Sequence, residues 1–314
     1  MNWTELRLSL LGDQKRRLLP PKVKVPVLPA ALTKFCRKAE DPRVSPCELA
    51  AIIETDAGLT CDLLRHVNSS RVGLRNKASS SQQALTLLGI RTTKLILLTA
   101  GVNAQFMKSK SKLVDLKNFA SSNLERALFA REIALLLKAD ADVAFSAAML
   151  QDFLLPLLSD ELSEQYETFV KRQAAQPGDF AAMEQDAMGW NHAFAAGNLM
   201  WDWGFPDDLI CAVLLHHRGL AVLADKDLAK TAVAAVAVAS LLPDPWNQSP
   251  TGVDLLTRLA SRWPALNLAE LADRVESAYR DQSDTEYTLA LRTHFGATEE
   301  AEATEQHEPA VAAV

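Results

Sequence analysis

Cysteine is scarce and unpaired in this sequence. The 314 residues hold four, Cys36, Cys47, Cys61 and Cys211, with no C-x-x-C or other paired spacing, which excludes a zinc finger and a disulfide framework and suits a reducing compartment. Glycine is sparse too, at 12 residues. No Asn-Gly or similar turn separates alternating runs, so no hairpin is expected and the apolar period decides the fold class. No apolar run reaches the roughly 20 residues a membrane-spanning helix needs. The longest nearly uninterrupted one, Thr231 to Leu242, predicts a buried helix instead. Lys15, Arg16 and Arg17 follow "LSLLG" without an adequate apolar core or a cleavage site behind them, so no secretory signal is expected. A cytoplasmic protein that does not engage a membrane is the expectation.

Charge of one sign is also missing from the body. The formal net charge is −6, but the tail from Ala297 to Val314 carries five glutamates and no Lys or Arg, leaving the rest close to neutral. Lys108, Lys110, Lys112 and Lys117 form the most basic stretch, without an interleaved aromatic before Phe119, which describes a solvated linker rather than a nucleic-acid footprint. A Gly-rich phosphate loop, a G-x-S-x-G elbow and a Cys-His nucleophile spacing are all lacking. Neither nucleic acid nor a cofactor is expected as a partner.

What is present is helical period nearly everywhere, and the expected class is all-α. In "SPCELAAII", Ser45 is placed as an N-cap, Pro46 at the first helical position and Glu48 at capping-box distance, with Leu49, Ile52 and Ile53 on one face. "SQQALTLLG" repeats the logic: Ser80 and Gln83 stand at capping-box spacing, and Gly89 is a C-cap followed by a turn. The two prolines of "KVKVPVLP" make Lys22 to Pro29 an extended lead-in. Helices are expected over about 30–106, 119–220 with breaks at Pro156 and Ala175 to Asp179, and 226–295. The expected organisation is a lead segment at 1–21, a principal domain at 22–220, a helical extension packed on it at 221–296 and a disordered acidic tail at 297–314.

The stretches "DPRVSPCELAAIIETDAGLTCDLLRHVNSS" at Asp41 to Ser70 and "SSSQQALTLLG" at Ser79 to Gly89, after the proline-led entry at Leu28 and Pro29, resemble the HDOD family, the HD-related output domains of bacterial signalling proteins. The resemblance continues more weakly through "GWNHAFAAGNLMWDWGFPDDLICAVLLHH", Gly189 to His217. It implies an N-terminal helical lobe joined to a C-terminal HD-like lobe, descended from metal-dependent phosphohydrolases and generally turned to regulation through protein partners.

Whether catalysis survives depends on ligands. The family pattern puts its first His at Ser122, its His-Asp pair at Gln151 and Asp152, and its final Asp at Ser240. Three of the four are therefore absent, and neither Ser nor Gln replaces His or carboxylate in a site that must ionise a metal-bound water. Asp152, His192, His216 and His217 remain, at positions that two-metal relatives use. His216 follows Leu209 by seven positions, about 20° away on a helix, and is expected on the buried face, whereas His217 is rotated off it by about 80°. Asp152 stands in register with Phe145 and turns toward the core, where it needs a hydrogen-bonded or cationic partner. His192 and His216 are the expected partners, in a retained polar network. The expected function is non-catalytic regulation through protein binding, and the alternative is a phosphohydrolase with a reduced ligand set.

Three further stretches carry weaker expectations. Asn68, Ser69 and Ser70, followed by Arg71, Gly73, Arg75 and Lys77, are expected to end a helix and form a loop, with a small anion- or partner-binding loop as the alternative. The small residues Ala193, Ala196 and Gly197 after His192 indicate close helix packing. "WDWGFP" is expected to pack a helix end on the core.

Overall fold

The computed structural model describes residues 1–13, 19–69 and 77–296. Lys15 to Arg17, the loop residues Ser70, Arg71, Gly73 and Arg75, and the acidic tail at 297–314 lie outside the described residues. Helix is the only regular structure among those described, as the apolar period requires. After α1 (Trp3–Leu11) and the extended lead-in, the first lobe comprises α2 (Ala30–Lys38), α3 (Pro46–Ile53), α4 (Ala57–Val67) and the long α5 (Ser81–Phe106). The Ser45 capping box forms: its side chain accepts from Glu48 N, and Glu48 accepts from Ser45 N at 3.0 Å. At the next helix the reciprocal bond shifts by one residue. Ser80 Oγ accepts from Gln83 N, but Gln83 Oε1 takes the amide of Ser79 at 2.8 Å. Gly89 does adopt positive φ, at 78°, yet helix resumes directly after it, so the expected turn is a kink within α5.

The exposed lysines 108, 110, 112 and 117 mark the passage to the second lobe. That lobe runs through α6 (Leu116–Leu137), α7 (Ala141–Leu150), α8 (Leu155–Glu161), α9 (Ser163–Ala175), α10 (Phe180–Met188), α11 (His192–Asp202) and α12 (Asp207–Leu214) to a 3-10 segment at His216–Ala224. Pro156 falls in the first turn of α8, where its missing N–H costs nothing. Pro206 caps α12 rather than opening it, leaving Asp207 and Asp208 in the first turn. Beyond lie α13 (Ala232–Ala239), α14 (Gly252–Ala260), α15 (Leu268–Gln282) and α16 (Ala290–Phe295).

α13 is the centre of the packing. All eight of its Ala and Val side chains are buried, and it touches α6, α7, α12 and the 3-10 segment. Small residues set this arrangement, because a helix surrounded on all sides can sit close only if its side chains are short. Two other stretches, Ser81–Phe106 and Ala141–Glu161, are long and apolar enough to cross a membrane by composition, and 78% of the second's most apolar window is buried inside the protein. "WDWGFP" packs as expected: Trp203 joins Phe106 and Phe153 in an aromatic cluster, with Phe106 and Phe153 centroids 4.8 Å apart.

Glycine permits two close approaches. A Cβ on Gly197 would fall 2.5 Å from Leu214 Cδ2, between α11 and α12, and one on Gly252 would fall 1.9 Å from the Leu241 carbonyl oxygen. A side chain can turn aside, whereas backbone at the mouth of α14 cannot. Gly252→Ala is therefore expected to cost about 3 kcal/mol or more, and Gly197→Ala about 1 to 2 kcal/mol. Urea unfolding of both variants measures the order, and equal losses would refute it.

Candidate functional site

The second lobe converges on a carboxylate. Asp152 lies in the turn just after α7 and is fully buried. Arg126 Nη1, on α6, stands 3.1 Å from its Oδ2. His192 Nε2, from the first turn of α11, is 3.2 Å from Oδ1, and His216 Nε2 is 3.4 Å from the same atom. Gln248, in the segment before α14, donates to Oδ2 at 3.1 Å. The expected partners His192 and His216 are thus in place, joined by Arg126 and Gln248, which sequence reasoning did not find.

His217 stands at the boundary of the buried face, and its Nε2 is 2.9 Å from His192 Nε2, so it belongs to the cluster. α12 stops at Leu214, and the tighter 3-10 path beyond it turns His217 toward α11. His217 is only partly buried and marks the outer edge of the cluster.

Each histidine is oriented by a specific acceptor. Glu184, on α10, is fully buried and accepts from Tyr166 Oη at 2.5 Å, from the His192 amide at 2.9 Å and from His192 Nδ1 at 2.5 Å. His216 Nδ1 donates to the Val213 carbonyl at 2.6 Å, which leaves its Nε2 facing Asp152. Burial opposes charge on His192, but Glu184 and Asp152 outweigh it and push the group up from 6.5 to about 10. With both ring N–H groups present, His192 donates to Glu184 through Nδ1 and to His217 through Nε2. Burial, then the neighbouring rings of His216 and His192, hold His217 well below the ordinary histidine range, so it stays neutral and accepts. Burial alone would raise Asp152, yet Arg126, His192 and His216 hold it well below the usual carboxylate range.

The three positions where the resemblance puts the family's other ligands are also visible. Ser122 and Gln151 are fully buried, and Ser240 Oγ donates to the His216 carbonyl at 2.5 Å. Asp152, His192, His216 and His217 each offer one donor atom, all within 4.8 Å of one another. Histidines bound to metals are commonly held by a carboxylate or carbonyl on the other ring nitrogen, as His192 and His216 are here. Against this stands Arg126. Its guanidinium already supplies the positive charge at Asp152, and a divalent ion there would face it at close range. The residues do not fit a catalytic divalent metal.

A family model for the HDOD domain matches residues 25–219. The chain belongs to the HDOD family. An uncharacterized protein of Treponema pallidum (strain Nichols) is 24% identical over 199 residues, covering 62% of this chain and 38% of its own length. The chain thus spans well under half of that relative. Among solved structures, an HDOD domain protein with unknown function from Geobacter sulfurreducens superposes with a TM-score of 0.58 at 18% identity, over 87% of this chain and 98% of that one. A proposed metal-dependent phosphohydrolase from Shewanella amazonensis SB2B gives 0.62 at 15% identity, over 90% and 99%. Such identities establish a shared HDOD-type fold and nothing finer.

Arg126 and Glu184 had a signal in the sequence. Arg126 continues the α6 face of Phe119, Ser122, Phe129 and Ile133 at helical spacing, and Glu184 follows Phe180 by one turn of α10. A charge on an apolar stripe asks for a buried partner.

The raised His192 makes stability depend on pH with a definite sign. Its contribution is complete below about pH 6.5 and is lost as pH rises through about 10. Urea unfolding across that window should show the wild type losing stability toward alkaline pH. Glu184→Gln should lose about 3 to 5 kcal/mol at neutral pH and flatten the dependence, whereas His217→Ala should cost about 1 to 3 kcal/mol by leaving a buried donor unpaired. A wild-type profile that is flat or rises from pH 7 to 10 would contradict the charge assignment.

Proposed function

We propose that this HDOD protein is a non-catalytic regulatory module of signal transduction that works by binding protein partners, its ancestral metal site converted into a self-neutralised polar core. One observation carries the reading: a fully buried guanidinium, Arg126, lies 3.1 Å from Asp152, where a hydrolase of this ancestry would need a divalent cation. The absence of ligands at Ser122, Gln151 and Ser240 supports it, since a metal with too few protein ligands is not held in the open, fixed geometry that hydroxide generation needs. The two charges at Arg126 and His192 balance those at Asp152 and Glu184, so the cluster is complete without an ion.

A second reading keeps the chemistry. The bare Nε2 of His216 and the supported ring of His192 have the arrangement of metal ligands, and a structural neighbour is named a proposed metal-dependent phosphohydrolase. On that reading the chain is a phosphohydrolase with a reduced ligand set at Asp152, His192 and His216.

Elemental analysis of freshly purified protein separates the two. The regulatory reading expects no stoichiometric Mn, Fe, Ni, Zn or Mg, and no hydrolysis of phosphomonoesters or phosphodiesters when these ions are added. Arg126→Ala should cost about 3 to 5 kcal/mol by stranding Asp152, and added Mn or Zn should return part of that loss as a higher thermal midpoint in the variant but not in the wild type. Metal-dependent hydrolysis by the wild type that disappears in Asp152→Ala would establish the hydrolase instead.

A further inference from the structure

The two lobes do not close completely on each other. Between them lies a cavity of about 750 Å³ that shares no lining residue with the Asp152 cluster. That volume is in the range of small-molecule sites. It is lined from α4, α5, α6, α7 and the end of α15. Protein interiors are close-packed, and a gap of this size at a seam between lobes forfeits contacts that Leu or Phe side chains would supply.

The lining has two characters. Ile96, Leu124, Phe145 and Met149 give it apolar faces on three different helices. Between them, Thr99 and Asn103 follow one another by one turn on α5, and Ser146 faces from α7. The Thr99 Oγ1 has no hydrogen-bond partner among the described residues but is closed off from the cavity, so the polar groups a ligand can reach there are those of Asn103 and Ser146. The rim carries both signs, with Arg65 paired to Asp62 at 3.2 Å and Lys77 and Asp281 nearby.

These features select among ligand classes. An aliphatic chain would satisfy Phe145 and Met149 but leave Asn103 and Ser146 dry and unpaired. A free sugar would meet the polar groups and waste the apolar faces. A flat heteroaromatic ring meets both, because its faces pack on Phe and Met while its edge offers donors and acceptors to a carboxamide and a hydroxyl. We propose that this interlobe cavity binds a planar heteroaromatic molecule of nucleoside size, its ring edge read by Asn103 and Ser146 and its substituent directed to the mixed-charge rim at Arg65 and Lys77. The site is independent of the function proposed for the Asp152 cluster and stands whether or not that cluster is inert.

Calorimetric titration of the full chain with adenosine, guanosine and their 5′-monophosphates tests this. At least one should bind one-to-one at sub-millimolar concentration. Asn103→Leu, which removes the carboxamide at similar size, should weaken it about tenfold, and Ala100→Trp, which fills the cavity, should abolish it. Met149→Trp repeats the filling from the opposite wall should the first variant fail to fold, as judged by circular dichroism. Tighter binding of a monophosphate that is lost in Arg65→Ala would show the rim reading phosphate, and equal binding of nucleoside and nucleotide would place recognition in the ring alone. Absence of binding by all four at low-millimolar concentration, or binding unchanged in the folded cavity-filling variants, would overturn the proposal.

Discussion

A negative charge sealed from water organises the second lobe. An isolated carboxylate at Asp152 would be too costly to keep, and the fold answers by drawing Arg126, His192, His216 and Gln248 to it from four separate segments. The two histidines arrive with their own supports. Glu184 fixes His192, the Val213 carbonyl fixes His216, and Tyr166 fixes Glu184. Interactions of this type contribute less net stability than their short distances suggest, because desolvation consumes most of the gain. They do penalise other arrangements heavily, since moving any one of these helices strands a charge.

Around that cluster the packing is permissive by composition. α13 offers only Ala and Val to its neighbours, and Gly197 and Gly252 admit contacts that no side chain would allow. The polar centre therefore chooses among the close arrangements that small residues make available. The fold has a structural reason to keep Asp152, because the surrounding groups Arg126, His192 and His216 depend on it as much as it depends on them.

Most of the framework was legible because it rests on local chemistry. Capping at Ser45 and Ser80, the prolines at 26 and 29, the break before Phe180 and the buried Ala/Val helix each follow from a few adjacent residues. Asn68 shows the limit of such reasoning: it ends α4 with φ at −91°, outside the left-handed region, because its carboxamide spans to both backbone groups of Ala78 across the loop. At the site, helical angle turns Asp152 and His216 toward the core and His217 to its boundary, and the family resemblance adds His192. The contact of His217 with His192 does not follow from the angle, since the chain tightens at Leu215. Arg126 and Glu184 stood on apolar faces in plain view, but their partners are distant in the chain, and no local spacing names them.

The first helix lies outside the region that the HDOD family model covers, yet it is fastened to the end of that region. Arg7 Nε meets Asp207 at 2.6 Å across 200 positions, Thr4 bonds the same carboxylate, and the guanidinium lies 4.1 Å over the ring of Trp201. During synthesis α1 leaves the ribosome long before α12 exists. Its seat can form only after about 200 further residues have been made, so this segment waits for its partner, and α11 and α12 must be in order before it finds its place.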